Sequence, residues 1–333
     1  MICFGVLRYP PKRFADWGRV TNRVLRVAVL GSKQIGVDVA KAAARAQGDT
    51  SLVCVASRDD RSDPRNNYSD FLRQRAEGLP VVVAATSGEA LDRLVGSQPD
   101  LVLVAGWHHL IPSSLLCQVA MGFVGFHYSL LPEYRGSAPL VWALINGESR
   151  VGVTVFRLTE GMDEGPIWRQ RALHVQDRDS VGTISRKLGD VAVGMVPELL
   201  SEAVSPEGIR WVAQPEITAS YGGIRTPEDG VIDWTRPAAT VANFIRAQSD
   251  PYPGAFTTLD GLRMTIWECR RVDMPVYGVP GQVLLVLGGN PIIACGDSRG
   301  IELLVVQRAG DCERHAASDV CWSLRTRLGT GPS

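Results

Sequence analysis

Arg26-Val27-Ala28-Val29-Leu30-Gly31 is an apolar run closed by glycine, and it leads into Val37 to Ala46, a stretch rich in alanine and valine. The pattern reads as strand, turn and helix. Similar apolar runs recur at Ser51 to Ala56, Val81 to Ala84 and Leu101 to Ala105, separated by helix-like or loop segments at Tyr68 to Ala76 and Gly88 to Leu94. Alternation of this kind argues for a Rossmann-like α/β core, a parallel sheet with helices on both faces.

Further along, Val151-Gly152-Val153-Thr154-Val155-Phe156 reads as another strand, and Ser180 to Leu200 as a long amphipathic helix. Composition changes near Pro215 to Gly230, where Gly222-Gly223 and Pro227-Glu228-Asp229-Gly230 mark a linker. Beyond it, Ala238 to Gln248 reads as a short helix. Short apolar runs follow at Tyr252 to Phe256, Met264 to Trp267, Gln282 to Leu287 and Ile301 to Gln307, split by Gly, Pro and Asp. Several short strands with turn signals predict a small, OB-like β-barrel. The expected organisation is an extension over 1–24, a core over 25–214, a linker over 215–237 and a C-terminal domain over 238–333.

A length of 333 residues suits two domains, or one large domain with an appendage. Basic and acidic residues balance at 35 each, and the basic set is 31 Arg with only 4 Lys. A nucleic-acid-binding chain is expected to show a basic excess or stripe, so the balance argues against a polyanionic partner, transfer RNA included. The 7 cysteines are scattered without CxxC or metal-finger spacing, which reads as free thiols in a reducing cytoplasm. No apolar run is long enough to span a bilayer, and the opening residues lack the apolar core of a secretory signal. No His/Cys/Asp cluster has metal-ligand spacing, so no metal is expected. Gly31-Ser32-Lys33-Gln34-Ile35-Gly36 is neither GxGxxG nor a phosphate loop, and reads as a tight strand-to-helix turn.

The chemistry-bearing stretch is Gly125-Phe126-His127-Tyr128-Ser129-Leu130-Leu131-Pro132-Glu133-Tyr134-Arg135-Gly136, with Gly161-Met162-Asp163-Glu164-Gly165 downstream. One histidine and one aspartate are the minimum equipment for moving a proton during acyl transfer. Both follow strand-like runs, so both are expected at the carboxyl edge of the sheet, where functional loops gather.

This wording resembles the folate-dependent N-formyltransferases, whose motif reads Asn-x-His-x-Ser-Leu-Leu-Pro-x-Tyr-Arg-Gly with an aspartate in a later glycine-rich loop. Asp229-Gly230-Val231-Ile232-Asp233-Trp234 and Pro251-Tyr252-Pro253-Gly254-Ala255-Phe256-Thr257 look like the junction and C-terminal domain of methionyl-tRNA formyltransferases and nucleotide-sugar N-formyltransferases. The resemblance covers roughly residues 25 to 330. It implies formyl transfer from N10-formyltetrahydrofolate to the amine of a small acceptor, either a nucleotide-linked amino sugar or an amino-acid-derived metabolite. His127 would be the general base and Asp163 the group that orients or charges it. Folate would be held by Trp107, His108, Leu110 and Ile111, by Ser129, Leu130, Leu131 and Pro132, and by Gly161 and Met162. The acceptor would meet Tyr128, Tyr134 and Arg135. Methionyl-tRNA formylation, or a catalytically weak folate-binding homologue, is the alternative; a homodimer is an open assembly.

The chain departs from the motif at Gly125, where the family usually carries its catalytic Asn. Losing one oxyanion donor typically costs about 2.7 to 4 kcal/mol. Three explanations are open: Tyr128, His108, His109 or a backbone N–H supplies the donor, the acyl group differs, or catalysis is weak.

Overall fold

The near-continuous apolar runs at Leu25–Gly31 and Leu101–Ala105 become strands buried along almost their whole length. The structure, a computed structural model, describes residues 24–46, 48–61 and 68–329. Apart from Val24, the expected extension over 1–24 lies outside the described residues. Two compact units emerge, one drawn from 1–125 and 193–210, the other from 126–192 and 211–333. Both are discontinuous along the chain, unlike the linear division into 25–214 and 238–333.

In the first unit, β1 (Leu25–Gly31), β2 (Thr50–Arg58), β3 (Val81–Ala84) and β4 (Leu101–Ala105) alternate with α1 (Lys33–Arg45), α2 (Tyr68–Ala76) and α3 (Ser87–Gly96). After α4 (Ser113–Leu116) comes β5 (Phe123–His127), the strand on which the chain passes to the second unit. β1 lies parallel to β2 and β4, β2 to β3, and β4 to β5. All of β4 is buried, as expected of a strand covered on both faces.

The second unit continues with β6 (Arg135–Gly136), α5 (Pro139–Ile145), β7 (Arg150–Arg157) and β8 (Ile167–His174). β7 and β8 pair antiparallel. The long helix α6 (Val181–Val204) carries Pro197 inside it and begins at a polar cap. There Asp179, 3% exposed, accepts from the Gln176 N–H and from Lys187 Nζ at 2.7 Å. Downstream, β9 (Tyr221–Gly222) returns to pair in parallel with β6.

After α7 (Ala238–Ala247) come β10 (Ala255–Leu259), β11 (Leu262–Val272), β12 (Val283–Leu287), β13 (Asn290–Ala294), β14 (Gly300–Arg308) and β15 (His315–Ala316). They form one antiparallel sheet in the order β10-β11-β14-β13-β12, with β15 on β14. The expected small barrel is thus realised as an antiparallel sheet whose pairing path is open at β10 and β12. Its core joins Ile245 and Val241 of α7 to Ile266, Ile293, Leu303 and Trp234. No helix among the described residues is long and apolar enough to cross a membrane.

The turn after β1 is tight for a steric reason. A Cβ built on Gly31 would stand 2.9 Å from Gly36 Cα, so the two glycines pack backbone against backbone. Ser32 Oγ donates to the Gly106 carbonyl, and Gly106, at φ +70°, leaves no room for a Cβ, which would stand 2.4 Å from the Ser32 backbone carbonyl oxygen. Left-handed backbone disfavours any side chain by about 1–2 kcal/mol, and the clash adds to that. Gly106→Ala is therefore expected to lower stability by more than about 2 kcal/mol in urea unfolding, whereas Gly96→Ala, with open space around its Cα, stays within about 1 kcal/mol.

Candidate active site

His127 is the last residue of β5 and is 8% exposed. Its ring packs edge-on to Phe156 of β7, with centroids 6.2 Å apart. Nε2 lies 2.8 Å from the Tyr134 carbonyl oxygen. A carbonyl only accepts, so Nε2 carries a hydrogen, and Nδ1 is the ring atom left for proton exchange. Nδ1 faces Asp163 Oδ2 at 3.5 Å. The same carboxylate oxygen accepts from the Gly136 N–H at 2.8 Å. Imidazole and carboxylate, 36 positions apart in sequence, are thus brought together within the second unit.

The motif turn between them is held from inside. Thr154 of β7 is fully buried; its Oγ1 donates to the Ser129 carbonyl at 2.7 Å and accepts from the Leu131 N–H at 3.1 Å. Gln170 of β8 donates from Nε2 to both the Leu131 carbonyl and Thr154 Oγ1, each at 2.8 Å. Ser129 Oγ donates to the Glu133 carbonyl at 2.6 Å. Leu131 is buried, and Leu130 lies over Gly152, whose absent Cβ would stand 2.3 Å from a Leu130 methyl.

Two residues expected to meet the acceptor have internal jobs. Arg135 has no exposure at all: its guanidinium donates to Gln214 Oε1 at 2.9 and 3.1 Å, to Glu216 at 2.7 and 3.0 Å and to Tyr221 Oη at 3.0 Å. The expectation that Arg135 contacts substrate is therefore corrected: five donors are engaged within the chain. The guanidinium in turn holds the Glu216 carboxyl below its usual range. Tyr134 donates its hydroxyl to Glu148 at 2.7 Å and accepts from Asn146, and burial is the main cause that pushes its phenol up. Its contribution to the site is the backbone carbonyl on His127. Tyr128 is half-buried.

Asp163 sits at φ +51°, left-handed for a residue with a side chain. The loop that carries it is closed at its neck by the Arg157 N–H on the Pro166 carbonyl at 2.9 Å. Met162 is 60% exposed beside it, and the Glu164 carboxylate folds over Gly161, within 2.4 Å of where a Cβ would stand.

The remaining expected folate contacts follow β4 in the first unit. Leu110 is 86% exposed, and Trp107 packs edge-on to His109 at 5.0 Å. Trp107 Nε1 is buried without a hydrogen-bond partner among the described residues. His109 lies against Asp60, which Arg58 also pairs at 3.0 Å. Asp60, His108 and His109 bring ligand atoms within 4.8 Å of one another, a cluster that sequence spacing did not reveal.

The profile described as Formyl transferase matches residues 25–200, and the one described as Formyl transferase, C-terminal domain, matches 225–320. Among solved structures, HypX from Aquifex aeolicus, in complex with tetrahydrofolic acid, is similar at a TM-score of 0.59 and 16% identity over 89% of this chain. This chain spans only 46% of the length of HypX. WlaRD, a sugar 3N-formyl transferase determined in the presence of dTDP and 5-N-formyl-THF, gives 0.59 and 16% over 87% of this chain and 99% of its own. Methionyl-tRNA formyltransferase from Clostridium thermocellum gives 0.54 and 18% over 74% of this chain and 93% of its own. At these identities the likeness is one of fold.

Removing the Thr154 hydroxyl while keeping its shape leaves the Ser129 carbonyl and the Leu131 N–H unpaired in the interior. Each orphaned group costs about 1–3 kcal/mol. Thr154→Val is expected to lower unfolding free energy by at least about 2 kcal/mol, read by urea denaturation; an unchanged midpoint would show that the turn stands without it.

Proposed function

The chain belongs to the formyl transferase family, and from that premise we propose that it transfers a formyl group from N10-formyltetrahydrofolate to the amine of a small acceptor. The observation that carries this reading is the His127 ring held between the Tyr134 carbonyl and the Asp163 carboxylate, at the end of a central strand. When bound, N10-formyltetrahydrofolate supplies an activated formyl group, whose bond to N10 breaks as the acceptor's C–N bond forms.

His127 Nδ1 takes the proton that the attacking amine loses and returns it to the departing nitrogen. Asp163 beside Nδ1 favours the charged ring formed in between. With Gly125 where a carboxamide would stand, the positive charge of the His127 ring offsets the developing negative charge without an amide donor. The unpartnered Trp107 indole N–H lies in a segment expected to hold folate, and a ring acceptor there would satisfy it.

A nucleotide-linked amino sugar is the acceptor class we favour, given the 35:35 charge balance and the likeness to a sugar N-formyl transferase along nearly all of that protein's length. A cytoplasmic setting and no nucleic-acid partner complete the proposal. Isothermal titration with a stable N10-formyl-folate analogue, alongside turnover on a panel of nucleotide-linked amino sugars, free amines and aminoacyl-tRNA, tests it. His127→Ala is expected to lower kcat by about 100- to 10,000-fold while analogue affinity stays within a few-fold. Absence of analogue binding would overturn the folate assignment, and undiminished turnover in His127→Ala would overturn the role of the ring.

A further inference from the structure

Gln214 follows the last β8 partner, because Val212 and Ile167 exchange backbone hydrogen bonds at 2.7 and 2.8 Å. The side chain is 9% exposed, and every polar atom of its amide is used. Oε1 accepts twice from Arg135. A guanidinium has no acceptor, so this contact fixes which end of the amide is oxygen. Nε2 is therefore turned to the Asp163 loop, where it donates to the Asp163 carbonyl at 2.8 Å and to the Gly165 carbonyl at 2.7 Å.

We propose that Gln214 is a positioning residue for the His127–Asp163 pair. It clamps the backbone on both sides of Glu164 and so keeps Asp163, in its left-handed conformation, with Oδ2 on the ring. The inference rests on the reading that this pair carries the reaction. Two constraints act on Asp163 from opposite sides: the Gly136 N–H on its carboxylate and Gln214 on its carbonyl. The first fixes where the carboxylate points and the second where the residue stands. Without the second, the left-handed residue is free to relax, and the carboxylate moves off Nδ1. Small displacements of a catalytic group reduce turnover steeply, on the order of 100-fold for about 1 Å.

Gln214→Glu separates the clamp from the Arg135 network, because the carboxylate keeps an acceptor for the guanidinium but sets oxygen against the two loop carbonyls. Gln214→Met removes both functions at similar volume and serves where the first variant fails to fold. In protein labelled with 15N at histidine, with the His127 signals assigned by their loss in His127→Ala, the Nδ1 resonance in either folded variant is expected to move toward its position in Asp163→Ala. This readout needs no turnover. On an accepted amine, either variant is expected to lower kcat roughly 10- to 100-fold with the KM for the formyl donor unchanged, and to add no further loss in an Asp163→Ala background. A wild-type Nδ1 resonance in a folded variant, or an equal loss in both backgrounds, would overturn the proposal. A wild type that formylates no amine would count against the functional reading and leave the resonance shift to decide the role of Gln214.

Discussion

A guanidinium with no access to water organises the second unit. Arg135 sits in the motif turn, and its partners Gln214, Glu216 and Tyr221 come from the chain about 80 positions later. Their pairing draws the returning segment against the turn, where β9 aligns with β6. Breaking a buried ion pair on one side costs about 3–5 kcal/mol, because the remaining charge has nowhere to be solvated. Here one end escapes that problem: Glu216 is 70% exposed, so the surface keeps half of the pair wet while the other half is enclosed. The residues on either side of Arg135 in sequence are the ones that hold the histidine and the aspartate, through the Tyr134 carbonyl and the Gly136 N–H.

Around this anchor the backbone adopts conformations that side chains avoid. Tyr134, Ala138 and Asp163 all have φ near +50°, at 57°, 49° and 51°. Such residues persist only where neighbours over-determine them, and they concentrate at functional sites. Each has visible restraint close by. Tyr134 is tied through its N–H to Ser220 and through its hydroxyl to Glu148, Ala138 leads directly into α5, and Asp163 is bonded at both its carboxylate and its carbonyl.

Much of this was legible in the sequence, and the limits have physical causes. The strands of the first unit announce themselves because burial on both faces demands uninterrupted apolar runs, as at Leu101 to Ala105. β8 does not, since Arg169, Gln170 and Arg171 line a largely exposed edge. β13 was hidden by Pro291, which ordinarily argues against a strand and here sits next to the β12–β13 turn. His127 and Asp163 were readable from the motif and its resemblance. Arg135 was misjudged because an arginine in a binding motif reads as a contact for an anion, and nothing local shows that Glu216 supplies that anion. Gln214 carried no signal at all: an amide at the edge of a linker looks like solvated surface until the fold brings two carbonyls to it.

The network also bears on how such proteins recombine. A cut at the end of the expected core, residue 214, would sever Glu216, Ser220 and Tyr221 from the turn they restrain, although all three look like linker in the sequence. The smallest portable unit that keeps the site intact therefore ends beyond Gly222, where β9 closes on β6. An exchange of the C-terminal part of this chain keeps the network only if it begins past that seam, so the modular boundary here is set by a hydrogen-bond network and not by the change in composition.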